Sequence, residues 1–277
     1  MEREEAATLL DRLDREAARW STPCGEGVIA WRGWGEGPPL LLLHGWGGSW
    51  LHWARNIPVL ARHHRLLVPD LPGMGDSDLA PPGTLHAGLA AMLGQGLRLI
   101  LGADARYAVA GFSFGGALAG LLAAAERDAV HRLVLAAPGG LGTFTPRPTR
   151  RLRGLPPEAR AEALRANILS LMLADPHSVD GLAMEIEDRN ASRLRATPLP
   201  REGLDLGAAL PRLAVAPLVV WGSRDNFCAD LLPQRMARLQ ALRPDARIHL
   251  LDGAGHWVAH EAAPEFDALM LRLPQIA

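Results

Sequence analysis

The chain has no lysine. All 29 of its basic residues are arginine, which excludes a Walker-type phosphate lysine, a Schiff-base lysine and a pyridoxal-phosphate lysine. Cysteine is nearly as scarce. Cys24 and Cys228 stand far apart without CxxC or clustered spacing, a usage that favours two free thiols in a reducing compartment over a disulfide. Net charge is lacking too: 29 basic and 30 acidic residues leave −1, no electrostatic footprint for nucleic acid or anionic lipid. The first twenty residues, MEREEAATLLDRLDREAARW, hold no apolar run of the kind a signal peptide needs. The expected compartment is the cytoplasm. Leu9, Leu10 and Leu13 at helical spacing predict a short amphipathic helix ending near Trp20, with most of its charge on a solvated face.

What remains is the composition of a soluble globular protein. At 277 residues, 48% hydrophobic and 21% charged, the chain can form one domain with an insertion, or at most two small ones. Val28–Trp34 reads as a strand, and short apolar runs suited to strands buried on both faces recur at Leu40–His44, Arg65–Gly73, Arg106–Ser113, His131–Pro138, Ala216–Gly222 and Ala246–His256. Helical patterns separate most of them, so the expectation is an α/β fold with a doubly wound, mostly parallel sheet. From about residue 142 to 207 no strand run occurs. That interval predicts a helical lid between a first core part (1–141) and a second (208–277), above the carboxyl ends of the strands. Its arginines, Arg147, Arg150, Arg151 and Arg153, read as a solvated linker in preference to an anion site.

The most informative stretch is Tyr107–Ala125, YAVAGFSFGGALAGLLAAA. It is uncharged, but glycines interrupt it and no basic anchors flank it, so it is no membrane span. GFSFGG matches neither GxGxxG nor GxxxxGK[ST], so it is no phosphate loop. The remaining reading is G-x-S-x-G between a strand and a helix, a corner that projects the Ser113 hydroxyl and aims the Phe114 amide above it. Alone the pentapeptide is weak. Upstream, His-Gly-Trp-Gly-Gly (His44–Gly48) follows a buried strand and offers the Trp46 amide as a second donor. Downstream, Asp225 and His256 each lie just past a strand, and the chain order Ser113, Asp225, His256 is that of a nucleophile–acid–base triad.

With these pieces the sequence resembles the α/β-hydrolase superfamily over nearly its whole length; DLPGMGDSD (Asp70–Asp78) resembles that family's strand-four loop. Within it the chain is most similar to the lid-bearing meta-cleavage-product hydrolases, which cut carbon–carbon bonds. The similar segments are PGGLG (Pro138–Gly142), LMLADPHSVDGL (Leu171–Leu182) and GHW (Gly255–Trp257). Two positions differ. Phe112 stands where that family carries Asn, and Glu187 falls at its carboxylate-holding lid arginine, with Arg189 two residues on.

Other candidates have plainer readings. His44 suits a structural role behind the oxyanion loop, His63 and His64 a solvated connection, Asp252 a turn, and Asp76 and Asp78 loop braces. His256 and His260 share i,i+4 spacing, but Trp257 occupies the place of the glutamate in HExxH, so no metal site is expected. Phe112 and Trp257 are candidate pocket residues, and Met172 reads as core. Tyr107, the single tyrosine, lies below the site, which with a serine nucleophile argues against epoxide hydrolysis and haloalkane dehalogenation.

The expectation is a cofactor-independent serine hydrolase with Ser113 as nucleophile, His256 as base and Asp225 as acid, acting on a small carbonyl substrate. Ester and carbon–carbon cleavage both stay open, as do lactonase and cofactor-free perhydrolase activity and, in another class, a non-catalytic ligand-binding protein of the same fold. Neither a nucleic-acid nor a membrane partner is expected, and a homo-oligomer is left open.

Overall fold

Aliphatic runs too short for helices become strands covered on both faces. The computed structural model describes residues 1–195 and 204–272. Helix α1 (Arg3–Glu16) precedes an antiparallel pair, β1 (Ala18–Cys24) and β2 (Gly27–Trp34). Next come β3 (Pro39–Leu43), the one-turn α2 (Ile57–Leu60), β4 (Arg65–Pro69) and α3 (His86–Leu101). Then follow β5 (Tyr107–Phe112), α4 (Phe114–Ala125) and β6 (Val130–Ala136). Two helices, α5 (Pro157–Leu171) and α6 (Gly181–Arg193), and the short α7 (Leu206–Ala209) separate β6 from β7 (Leu218–Gly222). The described chain closes with α8 (Leu232–Leu242), β8 (Arg247–Leu251), α9 (Val258–Glu261) and α10 (Ala263–Arg272).

The eight strands form one sheet in the order β1-β2-β4-β3-β5-β6-β7-β8. β1, β2 and β4 pair antiparallel, and every pairing from β4 through β8 is parallel. The α/β class read from the sequence therefore holds. β3 is flanked by β4 on one side and β5 on the other, so the winding reverses there and opens a crevice beyond the carboxyl ends of the strands. Trp46, Ser113, Asp225 and His256 each lie in a loop or corner leaving one of those ends.

Two expectations need correction. The N-terminal helix stops at Glu16, not near Trp20, because Ala18–Cys24 is claimed by pairing with β2, with Trp20 opposite Trp31. Tertiary pairing overrides the helical pattern there. His64 is buried, not solvated: it is 3% exposed, and burial holds its pKa below the ordinary value despite a hydrogen bond at the Pro38 backbone.

The α1 charge is also only partly a solvated face. Arg3 pairs with Glu185 and Asp188, and Asp11 with Arg189, which ties α1 to α6. The expected lid interval contains α5, α6 and α7; its residues 196–203 lie outside the described residues. Among the described residues no helix is long and apolar enough to cross a membrane.

Candidate active site

At the end of β5 the chain turns into α4 within one residue. Ser113 takes φ 53° and ψ −113°, a region a side chain enters only when its surroundings force it there. The corner is tight enough to demand its flanking glycines. A Cβ on Gly111 would lie 2.2 Å from the Gly115 oxygen, and one on Gly115 would lie 2.4 Å from the His44 oxygen. The Ser113 N–H donates to the Ala136 carbonyl at 2.9 Å, and its own carbonyl accepts from Gly139 at 3.0 Å. The hydroxyl is thereby held above the sheet.

Ser113 Oγ lies 2.9 Å from His256 Nε2, and His256 Nδ1 lies 2.8 Å from Asp225 Oδ2. Asp225 is fully buried, and its Oδ1 accepts the Phe227 N–H at 2.8 Å. Burial pushes this carboxyl up, but the His256 charge and hydrogen bond, the Phe227 amide and the Cys228 thiol together hold it below the usual carboxylate range. An ionised Asp225 assigns the proton to Nδ1, leaving Nε2 to accept from the serine hydroxyl. The rings of Phe227 and Phe112 flank the imidazole, with centroids 4.7 and 5.1 Å away. Asp252, read as a turn residue, accepts from Ser223 Oγ at 3.1 Å and makes no bond to His256 among the described residues.

Ser113 and His256 open into a cavity of about 400 Å³ whose wall also includes Trp46, Phe114, Phe144 and Phe227. The Trp46 ring meets Phe114 edge-on at 5.3 Å. Among the described residues neither the Trp46 nor the Phe114 amide donates to a protein acceptor. Phe114 opens the twelve-residue α4, where the helix dipole favours negative charge.

Several expectations about neighbouring residues are refined. Phe112 and Trp257, read as pocket residues, do not line the cavity. They are 1% and 0% exposed, and Trp257 Nε1 donates to the His52 carbonyl at 3.1 Å. Both rings pack behind the site, because their strand and helix-start positions turn them into the core. His44 accepts the Leu71 N–H at 2.8 Å and lies against the Gly45 carbonyl; burial, then the neighbouring His52, lowers its pKa to about 3. His260 stacks on Trp257 and stands 3.7 Å from Asp180, away from the His256 partners. Asp78 accepts the Val28 N–H, and Asp76 pairs with Arg32 and Arg193. Met172, half-buried, packs against the core.

Several contributors have roles that are not evident from sequence. Asn226 Oδ1 accepts the His256 N–H at 3.2 Å, while its amide donates to Leu169 and Leu173, coupling the histidine loop to the end of α5. Glu261 accepts from Gly255, Ala174 and Asp175 and braces the same junction. Glu187 hydrogen-bonds His52 Nε2 at 3.0 Å, and His52 Nδ1 accepts from Gly45 at 3.2 Å. Arg189 faces Asp11 and Glu185, whereas the guanidinium in the cavity wall belongs to Arg235 of α8. The resemblance singles out the Glu187 position and Asn226 adjoins Asp225; Glu261, His52 and Arg235 carry no such sequence signal.

Comparison with known proteins finds relatives over most of the chain. The model of the alpha/beta hydrolase family matches residues 40–269. The chain is 30% identical over 255 residues to a 2-hydroxy-6-oxo-6-phenylhexa-2,4-dienoate hydrolase of Burkholderia cepacia, covering 86% of this chain and 87% of that one. Its structure is similar to that of naproxen esterase from Bacillus subtilis, with a TM-score of 0.76 at 16% identity over 96% of both chains. It is also similar to the 2-hydroxy-6-oxo-6-phenylhexa-2,4-dienoate hydrolase of Rhodococcus sp. strain RHA1, with a TM-score of 0.69 at 23% identity, covering 92% of this chain and 98% of that chain.

Proposed function

This chain belongs to the alpha/beta hydrolase family, and on that footing we propose that it is a serine hydrolase of small carbonyl substrates working through an acyl-enzyme. One observation carries the reading: a serine forced to positive φ at a strand–helix corner, its Oγ 2.9 Å from a histidine whose other nitrogen meets a buried carboxylate.

Ser113 Oγ attacks the carbonyl carbon while its proton passes to His256 Nε2. Asp225 keeps the imidazole in the required tautomer and stabilises its positive charge. The oxyanion that forms is met by the Phe114 and Trp46 amides, donors with no protein acceptor to give up among the described residues. His256 then protonates the leaving group. A water, deprotonated by the same histidine, attacks the acyl-enzyme and regenerates Ser113. The helices between β6 and β7 act as a lid over this cavity, a role supported by the Asn226 bonds to Leu169 and Leu173.

Hydrolysis of a carboxylic ester requires nothing beyond these groups. A second reading, hydrolysis of a carbon–carbon bond in a dienone, is favoured by the identity to the Burkholderia cepacia enzyme. Phe112 and Glu187, in place of asparagine and arginine, weigh against it. The test is a fluorophosphonate probe followed by a panel of short aryl esters, lactones and a dienone meta-cleavage product. Stoichiometric labelling of Ser113 and turnover of esters are expected. An inert Ser113 would mean a ligand-binding protein on the same fold, and turnover of the dienone alone would favour the second reading.

A further inference from the structure

Among the described residues two arginines are buried to below a tenth of their surface, and they are treated differently. Arg32, 2% exposed, meets three carboxylates: Asp14 at 2.6 Å, Asp70 at 3.1 Å, and Asp76. Arg235, 7% exposed, makes one hydrogen bond, from Nη2 to the Thr143 carbonyl at 2.6 Å. Among the described residues no carboxylate pairs with it, and its Nε is buried without any acceptor.

Leaving a buried cation uncompensated is costly, so the wall around Arg235 matters. Arg235 lines the same cavity as Ser113 and His256, with Phe227 and Cys228 beside it. Cys228 does not supply a counter-charge: burial and the Asp225 charge push its thiol up to about 12, so it stays neutral. Asp225 is turned to His256 and the Phe227 amide. His86 is held neutral by burial. Among the described residues the cavity wall thus presents one permanent positive charge and no negative one, at a site where an entering molecule can complete the guanidinium fork.

The geometry points to Arg235 as an anion subsite: the substrate carries a carboxylate that binds this guanidinium while its carbonyl lies at Ser113. This rests on the serine hydrolase reading and names the chemical class of its substrate. The position is supplied by α8, after the acid strand, and not by the insertion between β6 and β7.

The test uses the full chain and two ester pairs that differ only in a free carboxylate. In one pair the acid sits on the acyl side (mono-4-nitrophenyl glutarate against 4-nitrophenyl valerate). In the other it sits on the leaving group (4-carboxyphenyl butyrate against phenyl butyrate). In at least one pair kcat/KM is expected to favour the anionic member. Arg235→Met should reduce that preference about 100-fold, the scale of a desolvated charge pair, and Arg235→Lys should retain part of it. Titration of the same esters into the Ser113→Ala protein measures affinity without turnover. Anion affinity that disappears on adding Arg235→Met supports the subsite even where no ester is hydrolysed, which separates this inference from the hydrolase reading. Melting of Arg235→Met is expected no lower than that of the parent, since an uncompensated buried charge is removed; a large drop would assign Arg235 a structural role and overturn the inference. Equal losses on both members of each pair, or no anion preference in rate or affinity, would overturn it as well.

Discussion

His256 hydrogen-bonds Asp225 at 2.8 Å, and His52 hydrogen-bonds Glu187 at 3.0 Å. The ring of Phe112 stands near both imidazoles, 5.1 Å from one and 5.5 Å from the other. The same residue types at similar distances thus occur twice within one small region, and the second nitrogen of each ring separates them. That of His52 accepts the Gly45 N–H, which leaves the ring no acceptor for a substrate proton. That of His256 faces a serine hydroxyl in the wall of the cavity. A histidine–carboxylate pair is therefore not a catalytic device by itself. It becomes one where the free nitrogen meets a nucleophile that substrate can reach.

The largest effect is expected of Ser113→Ala, which should lower kcat by about 10⁴ or more, because only oxyanion and binding effects remain. An unchanged rate would dismiss Ser113 as nucleophile. Asp225→Asn should cost on the order of 10⁴ by disturbing the tautomer of His256, with Asp252→Asn as the control; a larger loss from the control would mean the acid had been misplaced.

Glu187→Ala tests the other pair. It strands the buried His52 Nε2–H, which costs about 1–3 kcal/mol of stability, and loosens Gly45 beside the Trp46 amide. A fall in kcat of about tenfold is expected, and Glu187→Gln, which keeps an acceptor, should recover most of both. Equal losses in the two variants would mean that charge, not the hydrogen bond, holds the loop.

Asp267 supplies the smallest effect and a third kind of buried carboxylate, one with no histidine. It accepts from Asn56 Nδ2 at 2.8 Å, and burial pushes its pKa up to about 6. Its folded pKa exceeds the unfolded value, so the native state holds the extra proton between about pH 4 and 6, and stability falls as pH rises through that window. Asp267→Asn should raise the melting temperature at pH 8, by on the order of 1 kcal/mol in stability, and leave it little changed at pH 4. No pH dependence of the difference would mean that the carboxyl ionises freely in the folded protein.

The legible parts of this molecule are those whose cause is local. The leucines of β3 must be buried on both sides, so the run itself announces a central parallel strand. The Gly111–Gly115 corner is legible because only glycine tolerates contacts of 2.2 and 2.4 Å at those positions. Asp225 and His256 are visible because each follows a strand closely. The first strand is not legible in the sequence, because Ala18–Cys24 gains its conformation from β2 across the turn, not from its own residues. Nearness in sequence to Ser113 and His256 points Phe112 and Trp257 to the pocket, yet the turn of the chain directs both rings to the core.

By itself, then, the sequence determined the α/β class, the strained serine corner and the chain order of the proposed triad, since each follows from steric and burial demands within a few consecutive residues. Only the tertiary structure decided which histidine keeps an acceptor nitrogen at the cavity and which is tied to the backbone. It alone decided that Glu187 braces a loop and that Arg235, and not an arginine of the insertion, brings positive charge beside Ser113. Such pairing and lining depend on contacts between segments remote in sequence, such as the 135 residues between His52 and Glu187, and no local pattern encodes them.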